Sequence, residues 1–163
     1  MTLRIRPTLR TLLMLLLLVP MLGGCREKDS VMLGILGYNY TDRYIDRFSV
    51  DGAGGTNVFL SNDDGGGGSV SCCIGYDPDY PLPVAMEVKW MFGYQLGPDG
   101  EIVVPDEHHK ATAVLDGPVP ADPAYLEVHF MPDGSVQLRI TATRSPPILS
   151  IDRSNASRGS MGL

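Results

Sequence analysis

The sequence predicts an all-β chain: an antiparallel β-sandwich or open barrel, a single domain standing behind an N-terminal helical signal peptide. Three observations carry that expectation. Several apolar stretches alternate with a period of two residues, as half-buried strands require. The 19 glycines and 13 prolines punctuate the chain every few residues and cut helices short. After the leader, no segment carries a clear apolar stripe of 3.6-residue period.

The first element is the leader, residues 1–24. Arg4, Arg6 and Arg10 give a positive start, and Leu12 to Val19 is an unbroken apolar run. A basic start, a short apolar core and small residues before the cut define a secretory signal peptide. The run falls short of the roughly 20 apolar residues that a spanning helix needs. Leu22-Gly23-Gly24-Cys25 resembles the bacterial lipobox. That resemblance implies a diacylglyceryl thioether on Cys25, cleavage before it, and acylation of the new amine by a palmitate-type chain. Each buried CH₂ contributes about 0.8 kcal/mol, so two or three chains hold a protein firmly to a membrane. By the same resemblance Arg26, standing where an Asp favours inner-membrane retention, implies an outer-membrane address facing the periplasm.

Residues 25–30 form a lipidated polar tether, and 31–144 the β domain. Strands are expected over Val31–Tyr40, Tyr44–Val50, Val70–Tyr76 and Met86–Gln95, with a weaker one over Ala111–Leu115. In the second, Tyr44, Asp46, Phe48 and Val50 would share one face, and Ile45, Arg47 and Ser49 the other. The clearest unit is Tyr125–Met131, then Pro132-Asp133-Gly134, then Val136–Thr143. Strict alternation on both sides of a Pro-Asp-Gly turn marks a hairpin, with Leu126, Val128 and Phe130 facing Val136, Leu138 and Ile140. Residues 145–163, with Pro146 and Pro147 and the ending SNASRGSMGL, read as a disordered tail. Between the strands, Gly52–Gly68 is too glycine-rich for an ordinary strand. It reads either as a flexible surface loop or as a recognition loop built on Asp51, Gly52, Gly54, Gly55, Asn62, Asp63 and Asp64.

Charge narrows the partners. Loss of the leader's three arginines leaves 139 residues with ten Lys and Arg against 19 acids, a net charge of −9. Such a surface argues against nucleic acid and against a polybasic lipid-binding patch. With Cys25 consumed by lipid, Cys72 and Cys73 are left as neighbours in an oxidising compartment. On a regular strand their side chains point to opposite faces, so a vicinal disulfide needs a distorted turn. Either that bond or two separate thiols fits the sequence. CxxC spacing is absent.

No catalytic residue, metal site or cofactor is expected. Asp106, Glu107, His108 and His109 are four ligand types in a row, but neighbours on a strand do not converge on one ion, and they read as solvated loop residues. His129 stands alone on the polar side of its strand and reads as structural. Asp51, Asn62, Asp63 and Asp64 lack the EF-hand pattern and read as solvated turn residues. Asp42, Asp46 and Asp51 with Arg43 and Arg47 read as surface ion pairs. No GxSxG elbow occurs. An enzyme would have to assemble its site from dispersed residues such as His108 or His129 with Asp106.

The run Gly37-Tyr38-Asn39-Tyr40-Thr41-Asp42-Arg43-Tyr44-Ile45, then Phe48-Ser49-Val50-Asp51-Gly52-Ala53-Gly54-Gly55, then Gly65–Gly68 and Cys72-Cys73, resembles the proteobacterial lipoproteins of domain-of-unknown-function family 3304. That family has no settled biochemistry. Its occurrence beside type VI secretion effector genes implies a periplasmic immunity or binding role toward a secreted toxin protein. The rival expectation is a structural or assembly lipoprotein of the cell envelope. Cys25→Ala is expected to abolish lipidation. Metabolic labelling with a fatty-acid probe reads this directly, and label retained on the variant overturns the assignment.

Overall fold

A computed structural model of the chain describes residues 30–63 and 65–150. Cys25, the leader, Asp64 and residues 151–163 lie outside the described residues. Among the described residues ten strands follow one another: β1 Val31–Asn39, β2 Ile45–Val50, β3 Ala53–Gly55, β4 Ser71–Tyr76, β5 Val84–Phe92, β6 Gln95–Leu96, β7 Ile102–Val104, β8 Glu107–Leu115, β9 Tyr125–Phe130 and β10 Val136–Thr141. They build a β-sandwich. Sheet A has the order β10-β9-β1-β4 and sheet B the order β3-β2-β5-β8, with β6-β7 as a separate ribbon. The sheets do not close into a barrel.

One pairing departs from the all-antiparallel expectation. β1 and β9 run parallel, with Leu36 beside Glu127, Tyr38 beside His129 and Asn39 beside Phe130. The β9–β10 hairpin is as the alternation predicts: Phe130, Val128 and Leu126 lie opposite Val136, Leu138 and Ile140. Gly134 supplies the positive φ its turn needs.

The core fills the space between the sheets. Leu33, Ile35, Val128 and Phe130 come from sheet A, and Ile45, Phe48, Val50, Val88 and Trp90 from sheet B. Phe48 meets Phe130 edge-on, with ring centroids 5.3 Å apart. Ile45 joins Phe48 and Val50 on the inner face, which simple alternation forbids. A bulge between Ile45 and Arg47 explains it, because the extra residue resets the pleat. Arg47 and Ser49 then face outward, opposite Met91 and Lys89.

The glycine-rich stretch turns out to be a closure between the sheets. Asp51 and Gly52 both have positive φ, 47° and 85°, as a two-residue hairpin turn between β2 and β3 requires. Beyond β3, Val58 is fully buried and bridges Ile45 on one side and Gly68 on the other, while Gly67 bridges Tyr38. Phe59 N–H donates to Gly67 O at 3.0 Å, and Ser61 N–H to Asn39 O at 2.8 Å. The glycines serve close approach. A Cβ at Gly55 would overlap the Phe48 ring, and one at Gly66 would lie 2.5 Å from the Tyr38 ring.

Two substitutions separate this closure from a free loop. Gly67 has φ +82° and a Cβ there would overlap the Phe59 carbonyl, whereas a Cβ at Gly54 meets nothing within 4 Å. Gly67→Ala is expected to destabilise by more than about 1 kcal/mol, and Gly54→Ala to be neutral or stabilising by up to about 1 kcal/mol. Urea denaturation of both variants checks this. Equal midpoints would contradict the packed closure.

Candidate functional site

Strand pairing gathers cations that the sequence scatters. On the outer face of sheet B, Ser49 lies opposite Lys89, and Lys89 opposite Lys110. One step along, Arg47 lies opposite Met91, and Met91 opposite His108. These side chains line an open depression of about 550 Å³. Its floor is Met91, only 5 % exposed although it faces outward. Arg47 covers it, with Nη2 3.3 Å from the Met91 sulfur. Arg47, Lys89 and Lys110 are half of the Lys and Arg residues in the described part, the others being Arg43, Arg139 and Arg144.

Two like charges directly across a ladder repel each other, and a water-exposed lysine pair is tolerated rather than stabilising. Glu87 pairs with Lys89 and is held below the usual carboxylate range by that ammonium. Lys110, opposite Lys89 on the edge strand, also acts on the Glu87 carboxylate. The patch is supported from beneath. Arg43 donates to Glu107 at 2.6 Å and to the carbonyls of Gly93 and Pro105, with its guanidinium 5.0 Å from the centre of the Phe92 ring. Glu107 also reaches His109 Nε2 at 2.8 Å, and His109 stacks on Trp90 with centroids 5.3 Å apart. The base of β8 is thereby fixed while His108 and Lys110 stay outside.

The sequence placed His108 and His109 in a solvated loop, and the structure places both in β8. The error lay in ending the strand at Ala111: full pairing with β5 runs on to Glu107 opposite Phe92. Arg43, read as part of a hairpin ion-pair cluster, reaches instead to Glu107 across the sheet, and Arg47 stands 4.0 Å from Asp46. Asp106 accepts the Tyr94 N–H at 2.8 Å. His108 and His129 sit on the outer faces of different sheets, so the dispersed set of His108, His129 and Asp106 is not brought together. Among the described residues, no group of three or more His, Cys, Asp or Glu is placed to hold a metal ion.

The recognition-loop residues also part company. Asp51 accepts the Glu87 N–H at 2.7 Å beside the hairpin turn that includes Gly52. Gly54 lies in β3 and accepts the Ser71 hydroxyl, and Gly55 covers Phe48. Asn62 closes a small turn onto Gly65, and Asp63 accepts the Ser150 hydroxyl at 3.1 Å.

Cys72 and Cys73 are joined as a vicinal disulfide. The distortion that the bond needs is a β-bulge rather than a turn. Leu33 pairs with Ile74 and Ile35 with Ser71, so two residues of β4 share the place opposite Gly34.

A second polar group is buried on the outer face of sheet A. His129 stacks on Tyr38 at 4.5 Å and lies parallel to Tyr40 at 5.9 Å. Glu127 and His129 are both fully buried, with Oε2 and Nε2 3.5 Å apart. Tyr40 Oη lies 3.2 Å from His129 Nδ1, Tyr38 Oη donates to Ser145 O at 2.6 Å, and the Ser145 N–H donates to Glu127 Oε1 at 2.7 Å. Burial alone would raise the Glu127 pKa, but hydrogen bonds from His129 and Ser145 outweigh it and leave the carboxyl below its usual value. Burial, with Glu127 nearby, pushes the Tyr38 hydroxyl well up, and burial raises Tyr40 as well. The sequence read Ser145 onward as a disordered tail. Its first six residues instead lie across this cluster, with Ile148 and Leu149 packed on Leu36, Tyr38 and Tyr40.

These features define a class, a β-sandwich with an open cationic face and one buried acid–histidine pair, held in place by its own C-terminal segment. Residues 38–138 match the family described as Protein of unknown function (DUF3304), and the chain belongs to it. No curated protein and no solved structure matches the chain.

Glu127 makes a signed pH prediction. Its folded pKa lies below the unfolded value near 4.5, so its contribution to stability is complete above that value. The contribution is lost as pH falls from there through the folded pKa. Thermal unfolding between pH 7 and pH 3 is expected to show a shallower acid-side loss in Glu127→Gln, together with a neutral-pH destabilisation of about 1–3 kcal/mol. Parallel curves for variant and wild type would count against the buried carboxylate.

Proposed function

We propose that the chain is a periplasm-facing lipoprotein, held to the outer membrane through lipid on Cys25, that binds and neutralises a type VI secretion effector. The observation that carries the binding reading is the cationic depression of Arg47, Lys89, Lys110 and His108 around Met91. On an acidic chain, a face that gathers Arg47, Lys89 and Lys110, with Glu87 and Asp46 partly balancing them, suits an acidic patch on a partner protein. A buried thioether flanked by cations also suits a partner side chain that is apolar at its base and anionic at its tip. The lipobox resemblance supports the anchor, and the genomic company implied by the family resemblance supports the effector.

The test is a protection assay with the adjacent-gene effector, paired with pull-down of that effector by the full chain at rising salt. Deleting the gene is expected to lower survival only when the effector is active. Lys89→Glu/Lys110→Glu is expected to weaken capture at least about tenfold, or 1.4 kcal/mol, and to flatten its salt dependence. Unchanged survival on deletion removes the immunity role, and an envelope defect without any effector favours an assembly role. Unchanged capture by the folded double variant removes this face as the contact.

A further inference from the structure

We infer that the outer face of sheet A is a groove for a proline-containing aliphatic peptide, and that Ser145–Ser150 is its resident and displaceable occupant. The floor is complete without the segment. Tyr38 comes from β1 and His129 from β9, on strands joined by their own ladder, and Tyr40 follows β1 through its N–H to Phe130 O at 2.9 Å. The three rings stack in one row, and Leu36, Val70 and Met131 supply the apolar surround.

The segment is held as a bound peptide is held. It adds no strand to the sheet. Side chains of the floor read its backbone instead: Tyr38 Oη donates to the Ser145 carbonyl, Glu127 Oε1 accepts the Ser145 N–H, and Tyr40 Oη accepts the Ile148 N–H at 2.9 Å. Between those contacts lie Pro146 and Pro147, which lack an N–H and favour the extended polyproline form. Aromatic rows that receive prolines and bond the intervening carbonyls are a recurring way to recognise such peptides. Ile148 and Leu149 fill the apolar end but stay half-exposed, and Pro146 is exposed. Within the groove, Glu127 Oε2 and His129 Nε2 are fully buried and face each other at 3.5 Å.

The peptide that fits is therefore a small residue and two prolines followed by two aliphatic residues at a bend. Because the resident segment occupies the groove in cis, an outside peptide binds only to the fraction of molecules in which it has lifted.

The experiment uses the full chain carrying Ile148→Asp/Leu149→Asp, which keeps the floor and removes the anchors. A fluorescently labelled heptapeptide with the sequence of residues 144–150 is titrated and read by anisotropy. The released variant is expected to bind it at least tenfold more tightly than wild type. A control peptide with Asp at its two aliphatic positions is expected not to bind, and Tyr40→Phe in the released variant is expected to weaken binding severalfold. A folded released variant that ignores the peptide overturns the inference, as does binding seen only in tail-exchanged dimers by light scattering. Should the variant not fold, hydrogen exchange of wild type decides. The Ile148 amide is expected to exchange by local opening, faster than the amides of β9 and with little dependence on urea. Exchange of Ile148 only with global unfolding overturns it.

Discussion

The parallel ladder between β1 and β9 is the constraint on which the rest of the structure depends. It joins distant parts of the chain, since Tyr38 and Glu127 are separated by 89 positions. Closing so long a loop is entropically costly and is offset only by many contacts formed together. On its inner side the ladder sets Ile35, Val128 and Phe130 against Phe48 and Trp90. On its outer side it sets Leu36 beside Glu127 and Tyr38 beside His129. A slip of one residue would exchange the two faces, burying the acid and the imidazole in the sandwich interior and exposing the apolar set. The buried polar pair and the hydrophobic core are thus two consequences of one register.

Much of the fold was legible in the sequence because its signals are local. Alternation at Leu126, Val128 and Phe130, with Pro132-Asp133-Gly134 beside it, specifies a hairpin without reference to anything distant. The missed elements fail that locality. β3, β6 and β7 span two or three residues each, too few to show a period. The reading of β2 went astray at Asp46, where a bulge shifts the pleat and no residue type announces it. Asp51-Gly52 did carry a legible sign, since Asp-Gly between apolar runs is a strong hairpin signal, but the surrounding glycines drew it into a recognition loop. The parallel β1–β9 pair was out of reach, because nothing in either strand states its partner.

The candidate site was less legible still. Composition gave a strongly acidic chain and argued against a basic patch. Charge is not spread evenly over the fold: three paired strands place Arg47, Lys89 and Lys110 on one face. Net charge bounds the average field and says little about a local one. The Glu127–His129 pair was hidden for a related reason. On the sequence, polar residues on the outer side of a strand belong to solvent. Here the segment from Ser145 to Ser150 covers them, and its prolines had marked it as disordered. Among the loop candidates, Asn62 closes a backbone turn onto Gly65 and Asp63 accepts the Ser150 hydroxyl.

The irregular pairing at Cys72 and Cys73 bears on how the molecule behaves in company. β4 is the outer strand of sheet A, and an outer strand with a regular row of free N–H and C=O groups invites a second molecule to extend the sheet. Where two residues of β4 crowd opposite Gly34, that row loses its spacing. A neighbour's strand could match only a few groups before falling out of step. The same local misfit that seats two adjacent sulfurs therefore makes this edge a poor template for a neighbour's strand.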